Sequence, residues 1–556
     1  MNRSVPPGST LPAQPREELS AADQARMVAA LRRSLQDGLR LQQATAEVEA
    51  IETHISFVLV AGEFAYKFKR AINPGFLDFT TLALRWHFCH EELRLNRRLA
   101  PALYLDVVTV NGTPDAPVIG GPGPLIDCAV RMRAFAQEGL WDRVIARGGL
   151  QPAHIDELVD LVFAFHRDAA VAGTDSRFGD PAQVRAPLRD SLAALDGLLQ
   201  GDADHALVRS LQAWEAAAGA ALEPVFLQRH RDGRVRECHG DLHLGNVTQI
   251  DGKATVFDCI EFNDNFRWID VISDLAFMAM DLLRHGRADF AHRLVNAYLE
   301  RSGDYGGTCV LRYYTVHRAL VRAKVAALRA AQPAPATARR AANDAARHYL
   351  DLAVASSRPP HPVLMITHGL SGSGKTTLTQ GLLEATGALR LRADIERKRL
   401  FGLAPLERGG ADLNPALYSD DATRATYARL LEGARTALQA GFSVILDATF
   451  LRREQRDAAR ALGAALGAPF VLLDFDVDLP MLRERILRRG ARADDASDAD
   501  ADVLARQRLS AEPLAADEQA AVFRCIATTA SDDGPPRANW APLLQRLAGP
   551  RESAPA

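Results

Sequence analysis

At 556 residues the chain is too long for one ordinary core, so two or three domains are expected. A net charge of -3, with no long block of one sign, gives no support to a nucleic-acid or membrane-surface role. The six cysteines are scattered without a C-x-x-C pair, which argues against a zinc knuckle or a secreted disulfide framework and fits a reducing cytoplasm. The first residues lack a signal peptide's basic-then-apolar order, and no apolar run reaches membrane-spanning length, so a soluble protein is predicted.

Residues 1–20, rich in proline and polar side chains, read as a disordered tail. Met27, Leu31 and Leu35 then recur at helical spacing, which predicts a helix from Ala21 to about Gln36. The segments Val48-Ile51, Phe57-Val60 and Phe64-Phe68 predict an antiparallel meander. Its third strand, Phe64-Ala65-Tyr66-Lys67, matches the V-A-I-K pattern that ends on a phosphate-contacting lysine. Lys69 points to the same face and is the fallback. No G-x-G-x-x-G joins the first two strands, so any phosphate-covering role falls to the turn Thr53-His54-Ile55-Ser56. A helix from about Leu82 to Leu99 offers Glu91 and Glu92 as partners for Lys67, and Glu92 is favoured because Leu95 and Leu99 then lie on its buried side. A strand is expected from Leu125 to Phe135, followed by a largely helical stretch from about Pro152 to Gln228.

The stretch Cys238-His239-Gly240-Asp241-Leu242-His243-Leu244-Gly245-Asn246 sets out an H-x-D-x-x-x-x-N order. That order holds a base and a metal ligand in a phosphoryl-transfer loop. The apolar Ala254-Thr255-Val256-Phe257 ends in Asp258, where a second cation-binding carboxylate is expected. Asp241 would orient a substrate hydroxyl and accept its proton, while Asn246 and Asp258 supply the oxygen ligands Mg²⁺ requires. A polar turn whose side chains merely bond to backbone explains one residue at a time, not the ordered set.

The motif HGDLHLGN with the downstream FDCIEFND resembles the aminoglycoside phosphotransferase and choline-kinase-like superfamily, over roughly the first three hundred residues. The resemblance implies an α+β, protein-kinase-like bilobal fold using ATP and Mg²⁺, with an acceptor pocket built partly from the helices after Pro152. It also implies that Asp270-Val271-Ile272-Ser273-Asp274-Leu275-Ala276 is the family's D-x-x-x-D-L-A helix start. Asp274 would then brace the catalytic loop, with His239 in support. This domain is expected over 21–355, closing on an alanine-rich helix that ends near Ser356, with a stiff proline-containing linker over 356–362.

A second phosphate site follows. Val363-Leu364-Met365-Ile366 reads as a buried strand feeding Gly369-Leu370-Ser371-Gly372-Ser373-Gly374-Lys375-Thr376, a complete G-x-x-x-x-G-K-T, with Thr377 next. Glycines let such a loop turn its N–H groups inward toward an anion at the positive end of the following helix. Lys375 would reach the β- and γ-phosphates, and Thr376 would hold Mg²⁺. Ala388-Leu389-Arg390-Leu391 leads to Asp394, with Arg397 one helical turn later; Phe442 to Asp447 reads as a strand ending in a Walker-B-like acid.

This D-x-x-R after a P-loop resembles the small P-loop kinases, often labelled AAA, that include gluconate kinase, zeta toxin and 5′-hydroxyl polynucleotide kinase. The resemblance implies an α/β P-loop NTPase domain with a parallel sheet over 363–549, and a tail over 550–556. It makes Asp394 a base beside the acceptor hydroxyl and likens the segment from Leu482 to Arg489 to an arginine-rich lid carrying Arg485 and Arg489. Acidic and basic residues nearly balance across this half, which argues against a nucleic-acid acceptor. The expectation is a bifunctional kinase with two small-molecule hydroxyl acceptors. The alternative is one regulatory or sensor module joined to a single kinase or NTPase.

Overall fold

The computed structural model describes residues 18–41, 47–75, 77–358, 361–404, 407, 414–417, 419–492, 501–525 and 538–547. The chain forms two compact units, Met1–Ala186 with Phe226–Met278, and Pro187–Val225 with Ala279–Ala556. Most of the two predicted tails and Pro359-Pro360 of the predicted linker lie outside the described residues.

The first unit is built on a six-stranded antiparallel sheet. Its strands are β1 (Glu49–Glu52), β2 (Ser56–Ala61), β3 (Phe64–Lys69), β4 (Tyr104–Thr113), β5 (Ala116–Ile119) and β6 (Leu125–Arg133), in the order β1-β2-β3-β6-β4-β5. The predicted meander is thus the first half of a larger sheet, in which the strand foreseen from Leu125 lies between β3 and β4. One face is covered by helix α1 (Ala21–Leu41), whose Met27, Val28 and Leu31 meet Leu59 and Phe68. Against the other face lies helix α2 (Leu82–Asn96), through Leu82, Trp86 and Cys89 onto Ala65, Cys128 and Val130. Each large apolar side chain buried this way contributes about 1.5–3 kcal/mol. Helix α2 stops at Asn96, three residues short of the predicted Leu99. There the Asn96 amide donates to the Glu92 carbonyl, and its oxygen accepts the Cys259 N–H at 2.9 Å.

Four short strands carry the loop motif. They are β7 (Val235–Glu237), β8 (Val247–Ile250), β9 (Lys253–Val256) and β10 (Trp268–Asp270), paired β7 with β10 and β8 with β9. The β8-β9 hairpin folds the chain back so that the Phe257 N–H donates to the Asn246 carbonyl at 3.0 Å, which returns Asp258 to the loop it left twelve residues earlier.

The second unit holds a five-stranded parallel sheet, β11 (Leu364–His368), β12 (Leu389–Arg392), β13 (Val444–Asp447), β14 (Phe470–Asp474) and β15 (Val522–Arg524), in the order β12-β13-β11-β14-β15. Leu364 to Ile366 are fully enclosed, as a strand covered on both faces requires. Asp394 does not end a strand: β12 stops at Arg392, and Asp394 stands in the first turn of helix Ala393–Leu400, where a carboxylate complements the positive end of the helix. The helices Ala288–Ser302, Thr308–Ala330 and Ala336–Ser357, which precede the expected linker, belong to this same compact unit.

Candidate active sites

In the first unit, the alternation of β3 sends Lys67 and Lys69 to the face that α2 covers, where Glu92 meets both. Lys67 Nζ lies 2.8 Å from Glu92 Oε1, and Lys69 Nζ contacts Glu92 Oε2. Lys67 also reaches Asp258, and Lys69 reaches Glu261, an acid three residues beyond Asp258. Burial alone would raise the Glu92 carboxyl, but the two ammonium groups overcome it and hold the carboxyl at about 2. Burial opposes the charge on Lys67, yet Asp258 and Glu92 keep its ammonium well above the ordinary range. Glu91 turns to Arg94 instead, at 3.0 Å.

The loop itself is fixed by its own side chains. Asp274 accepts the His239 N–H at 2.7 Å and the Gly240 N–H at 2.9 Å. Gly240 has φ of 88°, and a Cβ there would stand 2.6 Å from the Phe266 carbonyl oxygen, so only glycine fits. His239 accepts the Asp241 N–H at Nδ1 and donates from Nε2 to the Phe257 carbonyl, which sets one neutral tautomer. His243 is fixed likewise: its Nδ1 accepts the Gly245 N–H at 3.0 Å, leaving Nε2–H to face Asp241 Oδ2 at 3.4 Å. Asn246 donates its amide to the Asp241 carbonyl at 2.9 Å and to Oδ2 at 3.1 Å, which turns its amide oxygen away from both. Asp258 has φ of 66°, an uncommon conformation for a residue other than glycine, and its side chain is 41% exposed.

In the second unit, β11 delivers the chain into the glycine-rich loop at Gly369, and helix Lys375–Thr386 begins as the loop closes. Gly369, Gly372 and Gly374 have φ of 141°, 84° and 89°, the left-handed backbone that an inward-turned loop needs. Lys375 folds back onto the carbonyls of Gly369 and Leu370 at 2.9 and 2.8 Å, with Ser373 beside it, and Ser371 is engaged by Gln507 from both its N–H and its hydroxyl. Thr376 Oγ1 donates to Asp447 Oδ2 at 2.6 Å, so the two residues expected around one cation stand together. Thr377 lies exposed in the first helical turn. Asp394 pairs with Arg397 at 3.1 Å. Arg485 Nη1 faces the Gly372 carbonyl at 3.4 Å; Arg489 is on the same helix, Leu479–Arg492, but its side chain lies outside the described residues.

Family models match the chain in two stretches, a phosphotransferase enzyme family over residues 87–311 and an AAA domain over residues 364–514. The uncharacterized protein Rv2004c of Mycobacterium tuberculosis is 31% identical over 464 residues, spanning 82% of this chain and 89% of that protein. The uncharacterized protein Mb2027c of Mycobacterium bovis aligns with the same figures. The chain belongs to their family. Its fold joins a protein-kinase-type phosphotransferase domain to a P-loop domain with a parallel sheet, and it is a kinase. Among solved structures, it is similar to a choline/ethanolamine kinase family protein from Mesorhizobium loti (15% identity, TM-score 0.36, 60% of this chain and 99% of that one). It is also similar to a gluconokinase from Sinorhizobium meliloti (18% identity, TM-score 0.22, 30% and 82%).

Kinases of these kinds in general use ATP with Mg²⁺, and the donor sets of this family member suit a hard cation. In the first unit, Asp258, the Asn246 amide oxygen and the Asp241 carboxylate are all oxygen donors on one loop system. In the second, Thr376 and Asp447 already share a proton-mediated contact that a cation could replace. The only cluster of three metal-capable side chains among the described residues is His166, Cys238 and Asp274. Its donors do not suit that ion: burial keeps the Cys238 thiol protonated, and Asp274 already serves two backbone amides. Among the described residues, no helix of the family member is long and apolar enough to cross a membrane.

Three imidazoles, His239 and His317 buried and His292 half-buried, make the folded protein sensitive to acid. Burial pushes His239, His292 and His317 below the ordinary 6.5, His317 furthest because Arg318 and Lys324 add to it. Just below that value the unfolded chain binds protons that the folded chain refuses, so stability rises with pH through the window and is lost as pH falls. Scanning calorimetry should show the thermal midpoints dropping as the buffer is taken from neutral to mildly acidic. A flat or rising midpoint would contradict the neutral-imidazole assignment.

Proposed function

We propose that this protein is a bifunctional phosphotransferase, each half moving the γ-phosphoryl group of ATP to a hydroxyl on a small molecule. The observation that supports this most is the presence of two separate sets, Lys67-Glu92-Asp258 with Asp241 and Asn246 in one unit, and the Gly369–Thr376 loop with Asp447 in the other.

In the first site, Asp241 is the group that accepts the acceptor's proton. The amide of Asn246 and the Nε2–H of His243 aim its carboxylate, and Lys67, steadied by Glu92, contacts the nucleotide phosphates. In the second site, the inward N–H groups of the glycine-rich loop receive the phosphates and Lys375 leaves its carbonyl contacts to join them. Asp394 orients the acceptor there, with Arg397 fixing its carboxylate, and Arg485 and Arg489 offset charge from the lid. Mg²⁺, when bound, would offset phosphate charge, held by Asn246 and Asp258 in one site and by Thr376 and Asp447 in the other. Domain limits of 21–355 and 363–549 and a cytoplasmic setting go with this reading.

Calorimetric titration with a non-hydrolysable ATP analogue and Mg²⁺ tests it. The expected stoichiometry is two nucleotides per chain, falling to one in Lys375→Ala and to one in Lys67→Ala. A single nucleotide at saturation of the unaltered protein would refute the two-site reading.

A further inference from the structure

Helix Ala288–Ser302 lies inside the stretch matched by the phosphotransferase family, yet in the fold it rests on the P-loop helix Lys375–Thr386 and on β12. The seam is made of directed contacts. His292 donates from Nδ1 to the Glu384 carbonyl at 2.8 Å, Arg293 meets the Glu384 carboxylate at 2.7 Å, and the Asn296 side-chain oxygen accepts the Arg390 N–H at 2.7 Å. Gly387, which ends the P-loop helix with φ of 70°, leaves no room for a side chain. A Cβ there would stand 2.8 Å from His292 Nε2.

The Asn296 contact fixes the backbone of Arg390, a β12 residue only 4% exposed. Its Nη1 donates to the Thr376 carbonyl at 2.7 Å and faces Thr379 Oγ1 at 3.3 Å, its Nη2 donates to Gln380 Oε1 at 3.0 Å, and its Nε faces Glu300 Oε1 at 3.4 Å. One planar fork therefore grips the first turn of the P-loop helix on one side and helix Ala288–Ser302 on the other. Thr376 is the residue whose hydroxyl meets Asp447, so the fork acts on the backbone of the residue at the cation end of the loop. Lysine offers a single point of attachment and cannot span these acceptors.

We propose that Arg390 is a positioning residue for the cation end of the P-loop, held in place by Asn296 and Glu300, so that a helix from the phosphotransferase stretch completes the second kinase site. The inference rests on the reading of that loop as a nucleotide site. It assigns the helix a task outside its own family's chemistry, and it makes the P-loop half dependent on chain that lies before the proline-containing linker.

The test uses the full chain and a fluorescent ATP analogue titrated at several Mg²⁺ concentrations, taking as the P-loop component the binding that Lys375→Ala removes. Arg390→Lys is expected to raise the Mg²⁺ needed for half-saturation of that component about tenfold, as the loss of one charge-assisted bond implies, and Glu300→Gln about threefold. Glu300→Gln preserves shape and is the variant to read if Arg390→Lys does not fold. An unchanged Mg²⁺ midpoint in the folded variants, or a fall in nucleotide affinity that is equal at every Mg²⁺ concentration, would overturn the proposal while leaving the P-loop reading in place. If Lys375→Ala removes no binding at all, the reading beneath it fails as well.

Discussion

Asp241→Asn is expected to slow one phosphorylation reaction by about 10²- to 10⁴-fold, the usual cost of removing a general base, and to leave the other reaction untouched. The size of the effect follows from how little else the change disturbs. Asparagine keeps the length and planarity of the side chain, the backbone N–H still donates to His239 Nδ1, and Gly240 remains held by Asp274. The phosphate-contacting cluster of Lys67, Glu92 and Asp258 stands on β3, α2 and the segment after β9, so nucleotide affinity should change little. The loss should therefore fall on the chemical step rather than on KM for ATP. The acceptor has to be found first, by screening metabolite extracts with γ-labelled ATP; single-turnover rates then compare Asp241→Asn with Lys375→Ala on each product. Two products, each lost in a different variant, are the expected pattern. If Asp241→Asn abolishes every product and Lys375→Ala none, the P-loop half is a nucleotide sensor and not a second enzyme.

What could be read from the residues alone was the part governed by local chemistry. A glycine-rich loop between a buried strand and a helix has few other uses, and the H-x-D-x-x-x-x-N order constrains its own backbone, so both loops were visible without a fold. Thr376 and Asp447 lie 71 residues apart in sequence and still stand together, because a parallel sheet sets its strand ends side by side. Pairings that depend on register or on tertiary packing were not legible. Nothing local marks Glu261 as a partner for Lys69, since its position depends on the left-handed backbone at Asp258. Nor does β12 announce that Arg390 will reach Glu300, ninety residues earlier, rather than solvent. His243, two residues after the base, is the one signal for a donor to it that the sequence carries, and the Gly245 N–H on its Nδ1 sets the tautomer that presents Nε2–H to Asp241. Strands β4 and β5 escaped because half-exposed antiparallel strands with polar interruptions lack the periodicity that marked β2 and β3.

Glu92→Ala is expected to destabilise the first unit by about 3–5 kcal/mol, the cost of leaving buried charge without its partner. Glu92 is fully enclosed and holds two ammonium groups, one on each oxygen, and removing it leaves Lys67 and Lys69 facing one another with only Asp258 and Glu261 to offset them. The sign of the pH dependence separates this from a simple cavity. With its folded-state carboxyl at about 2 against an ordinary 4.5, Glu92 contributes stability above about 4.5 and loses it as pH falls toward 2. Denaturant unfolding of the full chain, compared with Glu92→Gln, should thus show a gap that is full at neutral pH and closes in acid. A cavity alone would give a gap indifferent to pH. The compensating change points the same way: Glu92→Met combined with Lys69→Met removes an ion pair together, and should recover part of the loss, since apolar replacement of a whole buried pair is often neutral. A single variant no less stable than the unaltered protein, or a double variant no better than the single one, would mean that the cluster is not electrostatically coupled and that Lys67 is positioned by some other contact.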